Sequence, residues 1–90
     1  MSGQVRYQRN AEVVFGIVDG EALMLSVHTG RYYGLNPTAA RVWELLEVPH
    51  SLDELSQQLR QEFRIEEPAC RRQLESFLAD LLLKKLVAYA

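Results

Sequence analysis

The hydrophobic pattern of the chain changes period once, at Asn36-Pro37. Between Glu12 and Val18 the residues Val13, Val14, Phe15, Ile17 and Val18 are β-branched or aromatic, side chains that suit a pleated, half-buried ribbon. Asp19-Gly20 follows as a two-residue hairpin signal, since both residues tolerate positive φ. Leu23, Met24, Leu25 and Val27 make the return strand. A second turn at Thr29-Gly30 leads into Arg31-Tyr32-Tyr33-Gly34-Leu35, an aromatic strand that completes a three-stranded antiparallel meander. Val5 to Gln8 has the composition for a short extra pairing, or else residues 1–10 form a flexible lead-in.

If both turns contain two residues, Ile17 opposes Ala22, Phe15 opposes Met24, Val27 opposes Tyr32, and Ser26 opposes Tyr33. One face then carries Val13, Phe15, Ile17, Met24, Tyr33 and Leu35, the other Val14, Val18, Leu23, Leu25, Val27 and Tyr32. The second set is more apolar than a face meant only for water. Helices should cover one face, and the other should be partly covered or meet a partner.

Beyond Asn36 the apolar spacing becomes three and four. Asn36 can cap, Pro37 suits a first helical position, and Ala39, Val42, Trp43 and Leu46 form a stripe ending before Pro49. Ser51-Leu52-Asp53-Glu54 fits a capping box, opening a helix with Leu52, Leu55, Leu59 and Phe63 on one side. A third helix is expected from about Pro68 to Lys85, with Cys70, Leu74, Phe77, Leu78, Leu81 and Leu82 inward, before Leu86 and Val87 close the chain. The fold class is therefore α+β, a three-stranded antiparallel sheet followed by three helices in a winged helix-turn-helix-like arrangement.

Composition narrows the function. Ninety residues suit one domain spanning 1–90, and 48% apolar with 24% charged residues places the chain among sequences that fold. A net charge of −2 gives no general attraction for nucleic acid or anionic membrane. The single cysteine, Cys70, excludes an internal disulfide and suits a reducing cytoplasm. Neither a signal-peptide stretch nor a membrane span is present in the sequence, so a soluble cytoplasmic protein is expected.

Reactive chemistry is sparse. Cys70 sits at helical spacing from Leu74 and Phe77, as a small core residue would, and His28 and His50 lie far apart beside a turn and a helix cap. No base is placed against a nucleophile, no metal-ligand spacing occurs, and no glycine loop suits a phosphate, so neither catalysis nor a cofactor is expected. A winged-helix DNA binder fits the order of elements. Against it, Glu66, Glu67, Glu75 and Asp80 interrupt the basic residues Arg71, Arg72, Lys84 and Lys85 of the would-be recognition helix. The strand Arg31 to Leu35 leaves the sheet directly for a helix, which leaves one side without a partner. Such an edge is either shielded by the last helix or used for docking, and residue chemistry alone does not separate the two.

The run Gly30-Arg31-Tyr32-Tyr33-Gly34-Leu35-Asn36-Pro37-Thr38-Ala39-Ala40-Arg41-Val42-Trp43-Glu44-Leu45-Leu46, with Ser51-Leu52-Asp53-Glu54-Leu55 after it, resembles the PqqD-like peptide chaperones. These are the recognition elements of pathways that modify ribosomally made peptides, and the chain looks most like the stand-alone leader-binding proteins of lasso peptide biosynthesis. The resemblance covers residues from about 12 to 88. It implies that a precursor's leader segment binds by β-strand addition along Arg31, Tyr32, Tyr33, Gly34 and Leu35. The groove wall would then be drawn from Cys70, Leu74, Phe77, Leu78 and Leu81 of the third helix. It also implies delivery of the precursor to a leader-removing cysteine peptidase and an ATP-dependent cyclase, with no cofactor, no nucleic acid and no membrane. In one departure, Lys84-Lys85 stands where family members often carry a glycine near the end of the last helix. A client enzyme of the radical type that uses S-adenosylmethionine is the alternative within the family, and dimerisation through the apolar sheet face the alternative outside it.

Overall fold

A computed structural model describes residues 5–90; the expectation for residues 1–4 lies outside the described residues. Nine elements follow in order: β1 (Arg6–Arg9), β2 (Val13–Val18), β3 (Glu21–Ser26), β4 (Tyr32–Leu35), α1 (Pro37–Leu45), β5 (His50–Ser51), α2 (Leu52–Glu62), α3 (Glu67–Leu83) and β6 (Val87–Tyr89). The α+β class holds, with the meander β2-β3-β4 as one sheet and a second, β5-β1-β6, added to it.

The first hairpin forms as its residues dictate. Asp19 and Gly20 both take positive φ, +52° and +81°, the geometry of a two-residue turn that matches strand twist. Ile17 pairs with Ala22 and Phe15 with Met24, as expected. The second hairpin differs. Leu25 opposes Tyr32 and Met24 opposes Tyr33, a two-residue shift from the expected Val27–Tyr32 and Ser26–Tyr33 pairs.

The cause lies in the turn. A two-residue turn at Thr29-Gly30 needs positive φ at Thr29, the first central position of both favoured types, and a β-branched threonine resists it; of the two only Gly30 adopts it, at +74°. The loop instead spans Val27 to Gly30. The Gly30 N–H donates to the Ser26 carbonyl at 2.7 Å and the Ser26 N–H to the Arg31 carbonyl at 2.9 Å. Ser26 Oγ accepts from the Thr29 N–H and Thr29 Oγ1 from the Arg31 N–H, so the two hydroxyls satisfy a loop that a tight turn would not need. Because the slip is two residues, each side chain keeps its expected face.

The inner face packs on the helices. Ala22, Met24 and Ser26 are buried, and Val13, Phe15, Tyr33 and Leu35 are half-buried against the same core. Val42, Trp43 and Leu46 enter that core from α1 and its C-cap, Leu55 and Leu59 from α2, and Cys70, Leu74, Leu78 and Leu81 from α3. Asn36 caps α1 by accepting from the Ala39 N–H at 2.8 Å. Ser51 completes a capping box with Glu54 at the start of α2. The Ser51 N–H donated to Glu54 holds that carboxyl below the usual carboxylate range, with the Arg6 charge adding to the effect.

The second sheet was only partly foreseen. β1 lies between β5 and β6, so the extra pairing expected near Val5 to Gln8 forms twice. Leu86 and Val87, expected as closing apolar residues, are buried, and Val87 begins β6. The third helix ends at Leu83, two residues before expectation.

Candidate functional site

β4 pairs with β3 on one side and, among the described residues, with no strand on the other. The direction of its backbone groups follows from the ladder. Ser26 and Arg31 are joined by a backbone hydrogen bond, and hydrogen-bonded pairs alternate along an antiparallel ribbon. The Met24–Tyr33 and Ala22–Leu35 pairs are therefore bonded, and the Leu25–Tyr32 and Leu23–Gly34 pairs are not. The N–H and C=O groups of Tyr32 and Gly34 point away from β3, toward the open edge.

Beside that edge lies a groove of about 610 Å³ between the start of α1 and α3. Asn36, Thr38, Ala39 and Val42 form one side, Leu59 and Ile65 the depth, and Cys70, Arg72, Gln73, Leu74, Ser76, Phe77 and Asp80 the α3 wall. The other end of α3 is held against the strand: Lys84 Nζ sits 4.8 Å from the centre of the Tyr33 ring and 2.7 Å from Asp80. The groove begins at Asn36, the residue after β4, and none of Arg31, Tyr32, Tyr33, Gly34 and Leu35 is among its lining residues. The mixed lining of apolar floor and polar rim suits an extended peptide whose main chain pairs with β4 while alternate side chains enter the groove.

The ten residues expected at the site divide by place. Tyr32 is 68% exposed on the outer sheet face, and Gly34 is exposed there opposite Leu23. Tyr33 and Leu35 are half-buried on the inner face. Arg31 precedes β4 and closes the turn, its carbonyl accepting from the Ser26 N–H at 2.9 Å. On α3, Cys70, Leu74 and Phe77 line the groove, whereas Leu78 and Leu81 are in the core and not among the lining residues. Leu78 and Phe77 differ because adjacent helix positions point about 100° apart, and the inward stripe of α3 is broad enough to serve both core and groove. Sequence reasoning missed the α1 side and the connector residue Ile65. The signal available was Asn36-Pro37, a helix start placed directly at the end of an edge strand.

Other chemistry remains sparse. Cys70 is buried, with Sγ 4.0 Å from the Ser56 carbonyl. Among the described residues no cluster of three or more His, Cys, Asp or Glu could hold a metal ion, and no helix is long and apolar enough to cross a membrane. The cations of the two helices that would meet DNA are mostly engaged: Arg71 binds Asp53, Arg60 lies 3.8 Å from Glu67, and Lys84 binds Asp80. Among the described residues these pairs break up the positive charge that the two helices would turn toward phosphates.

Known proteins share this architecture. The family model described as Coenzyme PQQ synthesis protein D (PqqD) matches residues 21–87. The structure of TbiB1 in complex with the TbiA(beta) leader peptide is similar at a TM-score of 0.78 and 31% identity, over 89% of this chain and 93% of that one. The structure of lasso peptide synthetase B1 complexed with the leader peptide has the same TM-score at 23% identity, over 91% and 96% of the two chains, and speaks to the fold. No curated protein matches the chain.

Proposed function

The chain belongs to the PqqD family, and from that premise we propose that it binds the leader segment of a ribosomally made precursor peptide, of the lasso class, as an added strand on β4. The observation that carries this reading is the open β4 edge, with the Tyr32 and Gly34 backbone groups turned outward beside a peptide-sized groove. TbiB1, 31% identical and similar over most of both chains, was solved with a leader peptide, which supports the same role here.

Main-chain hydrogen bonds would supply much of the affinity, and side chains entering between α1 and α3 the selectivity. A disordered leader loses entropy on docking, so an apolar anchor on Leu74 and Phe77 is needed to offset it. The bound precursor would then be presented to a leader-removing cysteine peptidase and an ATP-dependent cyclase, the protein itself cutting and joining nothing. The same handling of a leader could serve a radical enzyme, but no feature of the groove favours that client.

The test uses proline at two adjacent positions. Gly34→Pro removes an N–H that points outward, at a site where an added Cβ meets only Leu23 Cδ2 at 3.9 Å. The domain should stay folded and leader affinity should fall at least about tenfold, since a bond is lost and the ring obstructs the incoming strand. Tyr33→Pro removes a donor to β3 and should damage the fold instead. Fluorescence anisotropy of a labelled leader, with circular dichroism of both variants, reads the two outcomes. Unchanged binding by folded Gly34→Pro protein would contradict strand addition at this position.

A further inference from the structure

The groove carries two charged side chains, and only one of them is satisfied. Asp80 is held by Lys84 at 2.7 Å. Arg72, exposed on the α3 wall, makes no ion pair or hydrogen bond among the described residues. Its neighbours in α2 and α3 behave otherwise: Arg71 binds Asp53, and Arg60 is paired with Glu67. Glu75, the next acidic residue along α3, is not among the groove-lining residues. The groove therefore presents one uncompensated positive charge beside its apolar floor.

The position of that charge along the groove can be measured on the helix. Arg72 precedes Phe77 by five residues, about 7.5 Å at 1.5 Å per residue. Five helix positions also turn by about 140°, so Arg72 stands toward one margin of the α3 wall and a peptide lying along the groove meets Arg72 and Phe77 with different side chains.

We infer that Arg72 determines specificity, selecting peptides that carry an acidic side chain close to the apolar side chain packed on Phe77. The inference rests on the strand-addition reading and adds to it a charge requirement. An exposed ion pair is weak and screened by salt, so the expected selectivity is about fivefold at low ionic strength and falls as salt is added.

A displayed library of random 12-residue peptides, selected on the wild-type protein and on Arg72→Glu, tests this. Peptides from the wild type should be enriched in Asp or Glu at one position near a shared apolar residue, and those from Arg72→Glu in Lys or Arg at that position. A resynthesised wild-type binder should bind Arg72→Glu at least about fivefold more weakly and recover when its acidic residue is changed to lysine. Arg72→Gln, checked by circular dichroism, provides a neutral variant that should lose the acidic preference without gaining a basic one. Binders that are abolished by Gly34→Pro but show the same charge preference on all three proteins would overturn the role of Arg72 and leave strand addition standing. Binders indifferent to Gly34→Pro would overturn both.

Discussion

At the scale of single residues, α3 divides its side chains between support and recognition. Leu78 is 1% exposed within the core, whereas Phe77 is half-buried and lines the groove. Leu78→Ala should cost about 2–5 kcal/mol of stability and leave the affinity of the folded protein for its leader unchanged. Phe77→Ala should cost less stability and weaken leader binding by about tenfold, the loss expected when an apolar anchor site is emptied. Paired calorimetry and thermal unfolding separate the two; equal loss of binding per unit of stability in both would show that α3 is only a support. The helical period identified all the inward residues of α3, but a stripe that serves core and groove together has one signature in sequence. Leu78 and Leu81 therefore looked the same as Leu74 and Phe77 until α1 was in place beside them.

At the scale of elements, the end of α3 shows how a local rule is met without its usual residue. Lys85 takes a left-handed conformation, φ +61°, just past the Lys84 C-cap. The Leu86 N–H donates to the Leu81 carbonyl at 2.9 Å and the Lys85 N–H to the Leu82 carbonyl at 3.0 Å, the bond pair that closes a helix on a left-handed residue. Glycine is the ordinary choice there, and the resemblance to PqqD-like proteins had marked Lys84-Lys85 as the place where one is often found. Lys85→Gly should raise stability by about 1 kcal/mol by removing the left-handed penalty, read as a higher urea midpoint at constant slope. No gain would mean that contacts of the Lys85 side chain offset its strain.

Elements with a period or a cap were legible in the sequence: the Asp19-Gly20 hairpin, the Asn36 cap and the Ser51 capping box all stand where their residues placed them. The shorter ones were not. β5 and β6 have two and three residues, too few to show alternation, and β5 ends on the serine that also caps α2. The Thr29-Gly30 turn was misread because its dipeptide resembles a two-residue turn, while the hydroxyls of Ser26 and Thr29 stabilise a longer one. The error preserved the parity of β4, so the outward direction of Tyr32 and Gly34 was unaffected.

At the scale of the whole molecule, the two sheets have different roles. β1 ties β5 to β6, and with them the start of α2 to the segment after α3. This brace keeps α3 at a fixed place beside the meander. The meander in turn offers an unpaired edge and an outer face on which Val14, Val18 and Tyr32 remain more than half exposed. The apolar character of that face was visible in sequence, but whether α3 would shield the β4 edge or stand off from it depends on the brace, whose strands were too short to read. A peptide that pairs with this edge engages the outward amides of β4, and amide hydrogen exchange residue by residue reads that engagement. In the protein alone, the Tyr32 and Gly34 amides should exchange quickly and the Tyr33 and Leu35 amides, bonded to β3, slowly. Saturating leader peptide should slow Tyr32 and Gly34 by tenfold or more, at the rough scale of a bound-state protection factor, and change Tyr33 and Leu35 much less. Saturation with no added protection at Tyr32 and Gly34 would contradict the account.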